Sequence, residues 1–227
     1  MIYLSSMYSF AVDIESTGFC PMRDSVISLG LVVLDDTLNV IDTTYLKFKP
    51  ELYKQHTEDN VATHVHGFKL SEMIFFPERR DQIINLMRFL KKYKCPLHNT
   101  RPLFYHALKG FDYLFIEWLF RKENLEYSLW KVFDFPNTYS TVLLGRSLGY
   151  DGNSLDKWAI RMNEKFNHHN ALDDAMMCVK ILQYALKNHF NNDVDLFFKH
   201  LQRMKTNDRD RVQEVQTEEN AIGLFNI

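Results

Sequence analysis

Apolar residues along this 227-residue chain fall into two rhythms, one short and strand-like near the N-terminus and one helical further on. Tyr8–Ile14 is an apolar run that ends at a polar turn from Glu15 to Asp24, with Gly18 and Pro21 inside it. Val26–Leu34 is rich in Val, Ile and Leu, and Val40–Phe48 carries β-branched residues after the turn pair Asp35-Asp36. Such runs, bounded by Gly, Pro and Asp, predict three strands paired consecutively and antiparallel. From Pro50 the pattern lapses through His56, His64, His66 and Gly67. It returns over Glu78–Tyr93, where Ile83, Ile84, Leu86, Met87 and Leu90 recur at helical spacing, with Lys91, Lys92 and Lys94 at the end.

Beyond Pro96 the spacing predicts a short buried strand at Leu103–Tyr105 and a helix over Asp112–Lys122, then a strand at Lys131–Phe135. Helices follow over Thr138–Leu148, Ser154–Met162, Ala171–Phe190 and Val194–Met204. Strands that alternate with helices after an antiparallel start make the class α/β with a mixed sheet. The tail from Lys205 onward is polar, with Val212 and Val215 its only sizeable apolar residues before Ala221. The expected organisation is one domain over 1–204 and a flexible tail over 205–227.

Composition narrows this only a little. No apolar run approaches the roughly 20 residues that a membrane helix needs, and the opening MIYLSSMYSF lacks a basic start, so a cleaved leader is not expected. Cys20, Cys95 and Cys178 are odd in number and show no CxxC spacing, which fits free thiols in the cytoplasm. Net charge is −2, and the tail's three basic and five acidic residues account for all of it, 3 − 5 = −2. A protein that coats long nucleic acid is usually basic. Any grip on nucleic acid here is therefore short, or meets the phosphates through metal ions.

Three acidic segments carry the candidate chemistry. In Ala11-Val12-Asp13-Ile14-Glu15 the side chains alternate, so Asp13 and Glu15 share one face while Val12 and Ile14 take the other. Alone, such a pair reads as a solvated strand end. In Tyr105-His106-Ala107-Leu108-Lys109-Gly110-Phe111-Asp112 an acid follows a buried strand at a helix start, where it reads equally as a cap. In His168-His169-Asn170-Ala171-Leu172-Asp173-Asp174, projection at 100° per residue sets Asp173 on the polar face with Lys180 and Lys187. Asp174 falls within the apolar arc of Leu172, Ala175, Met176, Val179, Leu182 and Leu186, widened by Cys178, Ile181 and Ala185. An acid aimed inward needs a partner or a metal. Four acids from distant segments make sense as ligands of two divalent cations about 3.5–4 Å apart. Oxygen-only ligation favours Mg²⁺ or Mn²⁺.

Asp13–Gly18 (D-I-E-S-T-G), Phe111-Asp112 and His169–Ala175 (H-N-A-L-D-D-A) resemble, in order, the three motifs of the DEDDh exonuclease family. That family includes proofreading exonucleases, ribonuclease T and oligoribonuclease. The resemblance spans about Tyr8 to Leu186. It implies a ribonuclease H-like three-layer fold with a mixed sheet of about five strands flanked by helices. It also implies that Asp13, Glu15, Asp112 and Asp174 hold two cations while His169 acts as general base. Thr17 and Gly18 would lie beside the 3′-terminal nucleotide, and His66 in Val65-His66-Gly67-Phe68 would border the same pocket. Phe19 resembles an aromatic of ribonuclease T that stacks on a terminal base. The second motif departs from the family: its usual Asn after His106 is Ala107, with one residue more before Phe111.

The expected activity is a 3′→5′ exonuclease on single-stranded ends, DNA favoured over RNA, releasing 5′-mononucleotides. Two alternatives share the fold. One is a non-catalytic partner module of a polymerase or replisome, which need not keep all five residues. The other is an endonuclease of ribonuclease H type, which does not need the His. Asp134, Thr138 and Ser140-Thr141 read as a turn and a helix cap without chemistry. Ala221–Phe225 is similar to short apolar peptides that dock on a sliding clamp, although a terminus folded back on its own domain is the simpler expectation.

Overall fold

A computed structural model describes residues 8–51, 63–93, 102–107, 111–125, 137–165 and 168–204. The strands are β1 (Ser9–Ser16), β2 (Val26–Leu34), β3 (Val40–Lys47), β4 (Leu103–Tyr105) and β5 (Thr138–Ser140). The helices are α1 (Thr63–His66), α2 (Leu70–Met73), α3 (Arg79–Lys91), α4 (Phe111–Lys122), α5 (Thr141–Ser147), α6 (Leu155–Met162), α7 (Ala171–His189) and α8 (194–204).

The sheet runs β3-β2-β1-β4-β5. The first three strands are antiparallel neighbours, as their short connections predict, while β1–β4 and β4–β5 are parallel. β1 is the central strand, and its alternation separates two cores. Phe10, Val12 and Ile14 face α3 and α4, whose Ile83, Leu86, Phe115 and Leu119 close one core. Ala11 and β2's Val32 and Leu34 face α7 and α8, whose Ala175, Val179, Leu182, Phe197 and Leu201 close the other. Asp13 and Glu15, in step with Ala11, therefore point to the α7 side. This is the expected three-layer α/β arrangement.

Some boundaries differ from the expectation. β1 continues to Ser16 because Glu15 pairs with Ser28 and, after a register shift, Ser16 pairs with Val26 as the last rung of the ladder. Residues 138–140, expected to open a helix, form β5 instead. Thr138, Tyr139 and Ser140 pair with Leu103, Phe104 and Tyr105, and the helix starts only at Thr141. Ser140 is its N-cap and accepts from the Leu143 backbone N–H at 3.4 Å. The strand expected at Lys131–Phe135 lies outside the described residues, as do Asp134, Cys95, Lys94, residues 108–110 of the second motif and the tail from 205. Cys20 and Cys178 are free thiols. Among the described residues no helix is long and apolar enough to cross a membrane.

Helix α7 is buried on more of its surface than one stripe. Met177 and Ile181 pack against Leu155, Trp158 and Ala159 of α6, so a second face is also covered. Gly30 of β2 is what lets this helix approach the sheet. A Cβ built there would lie 2.2 Å from the Ala171 carbonyl oxygen and 2.3 Å from the Leu172 nitrogen. Gly30 pairs with Asp13, so the close approach is at the level of the acidic face.

Candidate active site

Three elements deliver the four carboxylates. β1 supplies Asp13, half-buried, and Glu15, buried; the first turn of α4 supplies Asp112 and the first turn of α7 supplies Asp174. Glu15, Asp112 and Asp174 are 8%, 3% and 4% exposed, so three acids are withdrawn from solvent at one place. One carboxylate oxygen each from Asp13, Glu15 and Asp174 lies within 4.8 Å of the others, close enough to share an ion. Asp112 joins them through its charge, which acts on Asp13 and Glu15 and is acted on by Asp174. Its Oδ2 is buried and meets no hydrogen-bond donor.

Protonation reports the same crowding. Burial, then the charges of Asp112, Asp174 and Glu15, hold Asp13 well above the usual carboxylate range. Burial and the charges of Asp174 and Asp112 push Glu15 up to about 7. Burial also pushes Asp112 up to about 7, against the opposing pull of the Asp112 and Ile14 backbone N–H groups. Asp174 is raised by burial, with His168 and His169 pulling it down. A site that raises so many acids together is built for compensating positive charge. The orphaned Asp112 oxygen and the all-oxygen donor set fit a hard divalent cation.

The α7 entrance is shaped by its cap. Asn170 accepts from the Leu172 and Asp173 backbone N–H groups at 3.1 and 3.3 Å. Cap and turn set Asp173 and Asp174 in the first turn, and only Asp174 is buried, as the helical projection requires. His169 is exposed, with its backbone in the left-handed region at φ 68°. Its N–H donates to Asp174 Oδ2 at 3.2 Å, so the ring stands at the rim of the carboxylate group. Burial and the neighbouring His168 lower its pKa, against the Asp174 and Asp156 charges. Burial and His168 thus favour the neutral form of this imidazole.

The other expected site residues are placed as follows. The Thr17 hydroxyl is buried and accepts from the Ser25 N–H at 2.9 Å, which closes the β1–β2 loop. Gly18 leaves no room for a side chain, since a Cβ would lie 2.5 Å from Asp24 Oδ2. Its carbonyl accepts from the Ser16 hydroxyl at 2.6 Å. That stiffened loop holds Phe19 outward, 87% exposed, with its ring 6.4 Å from Phe111 beside Asp112. His66 is buried, stacks on Phe68 at 5.6 Å and accepts the Phe68 N–H at Nδ1.

The exonuclease family profile matches residues 10–182, a span that runs from β1 into α7 and contains all four carboxylates and His169. The chain belongs to the exonuclease family. The profile and the fold together support the DEDDh type within that family. Among solved structures, this exonuclease superposes on exonuclease I with a TM-score of 0.70 at 13% identity, over 86% of this chain and 44% of that one. It spans less than half of exonuclease I. It also superposes on the nuclease domain of 3′hExo, a DEDDh member bound to rAMP, with a TM-score of 0.63 at 15% identity, covering 82% and 94% of the two chains. A third match is a 3′-exonuclease described as recognising the 3′ end of histone mRNA stem-loop. Its TM-score is 0.62 at 16% identity, over 82% of this chain and 65% of that one. At these identities the likeness establishes a shared fold. No curated protein matches the sequence significantly.

Several residues around the exonuclease site carry no signal in the motifs. His168 presents Nδ1 to Asp174 Oδ1 at 3.2 Å and Nε2 to Asp156 Oδ2 at 4.0 Å. His106 Nδ1 lies 2.7 Å from the Thr141 hydroxyl, and burial pushes this histidine down to about 4. Thr141 was expected to serve only as part of a cap; it ties the end of β4 to α5 and touches the buried Cys178 thiol at 3.9 Å. Tyr45 pairs with Gly30 across the sheet, and burial with the charges of Glu15 and Asp173 holds its phenol up. Only Gly30 leaves a trace in the sequence, as a glycine inside an otherwise continuous apolar strand.

Proposed function

We propose that this exonuclease removes nucleotides from the 3′ end of single-stranded nucleic acid, DNA favoured over RNA, and releases 5′-mononucleotides. The observation that carries the reading is the meeting of Asp13, Glu15 and Asp174 oxygens within 4.8 Å, with the charge of Asp112 acting on Asp13 and Glu15 and its buried Oδ2 left without a donor. These carboxylates would hold two Mg²⁺ or Mn²⁺ ions. When bound, such ions stabilise the charge that develops on the attacking and leaving oxygens of a phosphodiester.

The chain's own residues do the rest. His169 Nδ1 or Nε2, in the neutral form, accepts the proton of the attacking water, and Asp174, bonded to its backbone N–H, keeps that turn in place. Thr17 and Gly18 hold the loop that limits the pocket on one side. Phe19 offers an exposed ring to a terminal base, and His66 on Phe68 borders the path on the β3 side. The 3′hExo nuclease domain is described as bound to rAMP and a 3′-exonuclease as recognising the 3′ end of histone mRNA stem-loop, which supports RNA ends as a second substrate. A non-catalytic partner module is disfavoured because all five motif residues are present and gathered. We further propose that Ala221–Phe225 is a docking peptide for a sliding clamp or polymerase, testable by pulling down that partner with and without residues 221–225.

The deciding experiment follows a 3′-labelled oligonucleotide with Mg²⁺ and with Mn²⁺, on matched DNA and RNA, beside a circular single strand. Expected are labelled mononucleotides from linear substrates only, and no release by Asp174→Ala. Equal activity of wild type and that variant, or cutting of the circle, overturns the reading.

A further inference from the structure

The carboxylate set is not the only group at this site able to hold an ion. His168, His169 and Asp174 each offer one ligand atom within 4.8 Å of the others. We infer that these three residues form a second, overlapping site for a borderline-soft cation, Zn²⁺ in particular, whose occupation blocks the enzyme. The donor set differs in kind from the oxygen-only cluster beside it. Imidazole nitrogens select zinc over magnesium, which keeps to oxygen ligands and water.

The geometry supports the assignment at three points. His168 Nδ1 and Asp174 Oδ1 are 3.2 Å apart. Two ligands on a tetrahedral zinc with bonds of about 2.0–2.1 Å are separated by roughly 3.3 Å, so this hydrogen-bonded pair already has the spacing such an edge needs. The second point is the far side of the same ring, where Nε2 faces the Asp156 carboxylate at 4.0 Å. A metal-binding histidine commonly gives its second ring N–H to a carboxylate, which fixes the tautomer that leaves the other nitrogen free for the metal. In His168 the Asp156 carboxylate stands on the Nε2 side at ion-pair range, a short side-chain movement from that hydrogen bond, and Nδ1 is turned to Asp174. The third point is His169, whose ring stacks on that of His168 with centroids 3.9 Å apart and is exposed enough to turn. A change in its side-chain torsions brings the third ligand in, and water completes the tetrahedron.

The simpler reading is that His168 only offsets the charge of Asp174. That reading needs one histidine nitrogen and leaves the approach of Asp156 and the stacking of the two rings unexplained. The proposed site uses both, and it explains why blocking follows. A cation on the His169 lone pair prevents that ring from accepting a proton, and one on Asp174 removes a ligand from the oxygen cluster. The inhibition, though not the binding, rests on the exonuclease reading above.

The test uses the full chain and Zn²⁺ alone as the probe. Equilibrium dialysis in excess Mg²⁺ is expected to show one Zn²⁺ retained by wild type and roughly tenfold or weaker retention by His168→Asn. In the nuclease assay, each protein normalised to its own Mg²⁺ rate, Zn²⁺ is expected to inhibit wild type and to be needed at roughly tenfold higher concentration for the variant. Should His168→Asn fail to fold, Co²⁺ bound to wild type decides instead. Intense visible bands of four-coordination support the site, and only weak six-coordinate absorption overturns it. Equal Zn²⁺ retention by the two proteins also overturns it. Absence of any nuclease activity in Mg²⁺ or Mn²⁺ condemns the exonuclease reading alone, and dialysis still judges the zinc site.

Discussion

Asp173 and Asp174 are neighbours with opposite fates, and the difference was readable from the sequence. One hundred degrees of helical rotation carries Asp174 into the core while Asp173 stays on the outside, so periodicity alone separated a site acid from a surface acid. The role of His168 was not readable, because adjacency to His169 says nothing of which ring nitrogen meets which oxygen. Two predictions belong at this scale. Glu15 is held at about 7 in the folded state against an ordinary 4.5, so its carboxyl binds a proton more tightly when folded. Its contribution to stability is present below about pH 4.5 and is lost as pH rises through about 7. Without divalent ions, wild type should therefore lose stability between those pH values relative to Glu15→Gln, and saturating Mn²⁺ should flatten the difference; parallel thermal melts check this. For His169, the left-handed backbone makes Asn the replacement of choice, since Asn tolerates that conformation better than most residues. His169→Asn should lower kcat by roughly 10²–10⁴-fold while Mn²⁺ affinity measured by calorimetry stays near wild type. A large loss of metal binding would assign His169 to the ion rather than to the water.

Among the elements, those with a clear period and a clear stop were legible. β2, α3 and α7 are long, and their ends carry turn residues or a cap. β5 was not legible, because three residues are too few to show alternation and Thr141–Ser147 continues them with a helical pattern; only pairing with β4 settles their state. The contact between α7 and the sheet is likewise a tertiary fact, visible beforehand only as the unexplained Gly30. That contact yields a prediction. The atoms that a Gly30→Ala methyl would strike are Ala171 and Leu172 backbone, which cannot swing aside as a side chain can. Overpacking of this kind costs about 1–3 kcal/mol. It should also tilt the start of α7 and carry Asp174 away from Asp13. The expected outcome is a lower melting temperature together with weaker Mn²⁺ binding. A variant that loses stability but binds Mn²⁺ as wild type does would show that the close approach serves packing alone.

For the whole molecule, the mixed order of the sheet joins two ways of building a site. The antiparallel half, β1 to β3, comes from short connections and was predictable from them. The parallel half, β4 and β5, is reached by crossovers through α3 and α4, and nothing local announces that β4 lies beside β1. The motif order nonetheless anticipated which segments meet, because the resemblance carried that long-range information. The site thus draws Asp13 and Glu15 from the middle of the sheet and Asp174 from a helix entrance next to a left-handed turn. These two halves differ in durability. The amides of Phe10 and Ala11 sit where β1 is paired with both β2 and β4 and covered on both faces, so their hydrogens should exchange with deuterium only when the entire fold opens. Amides at 168–170 should exchange by local opening and slow markedly once an ion bridges Asp174 to the strand. Slow exchange in that turn before any ion is added would mean that the site arrives rigid, with no looser half left to close around its substrate.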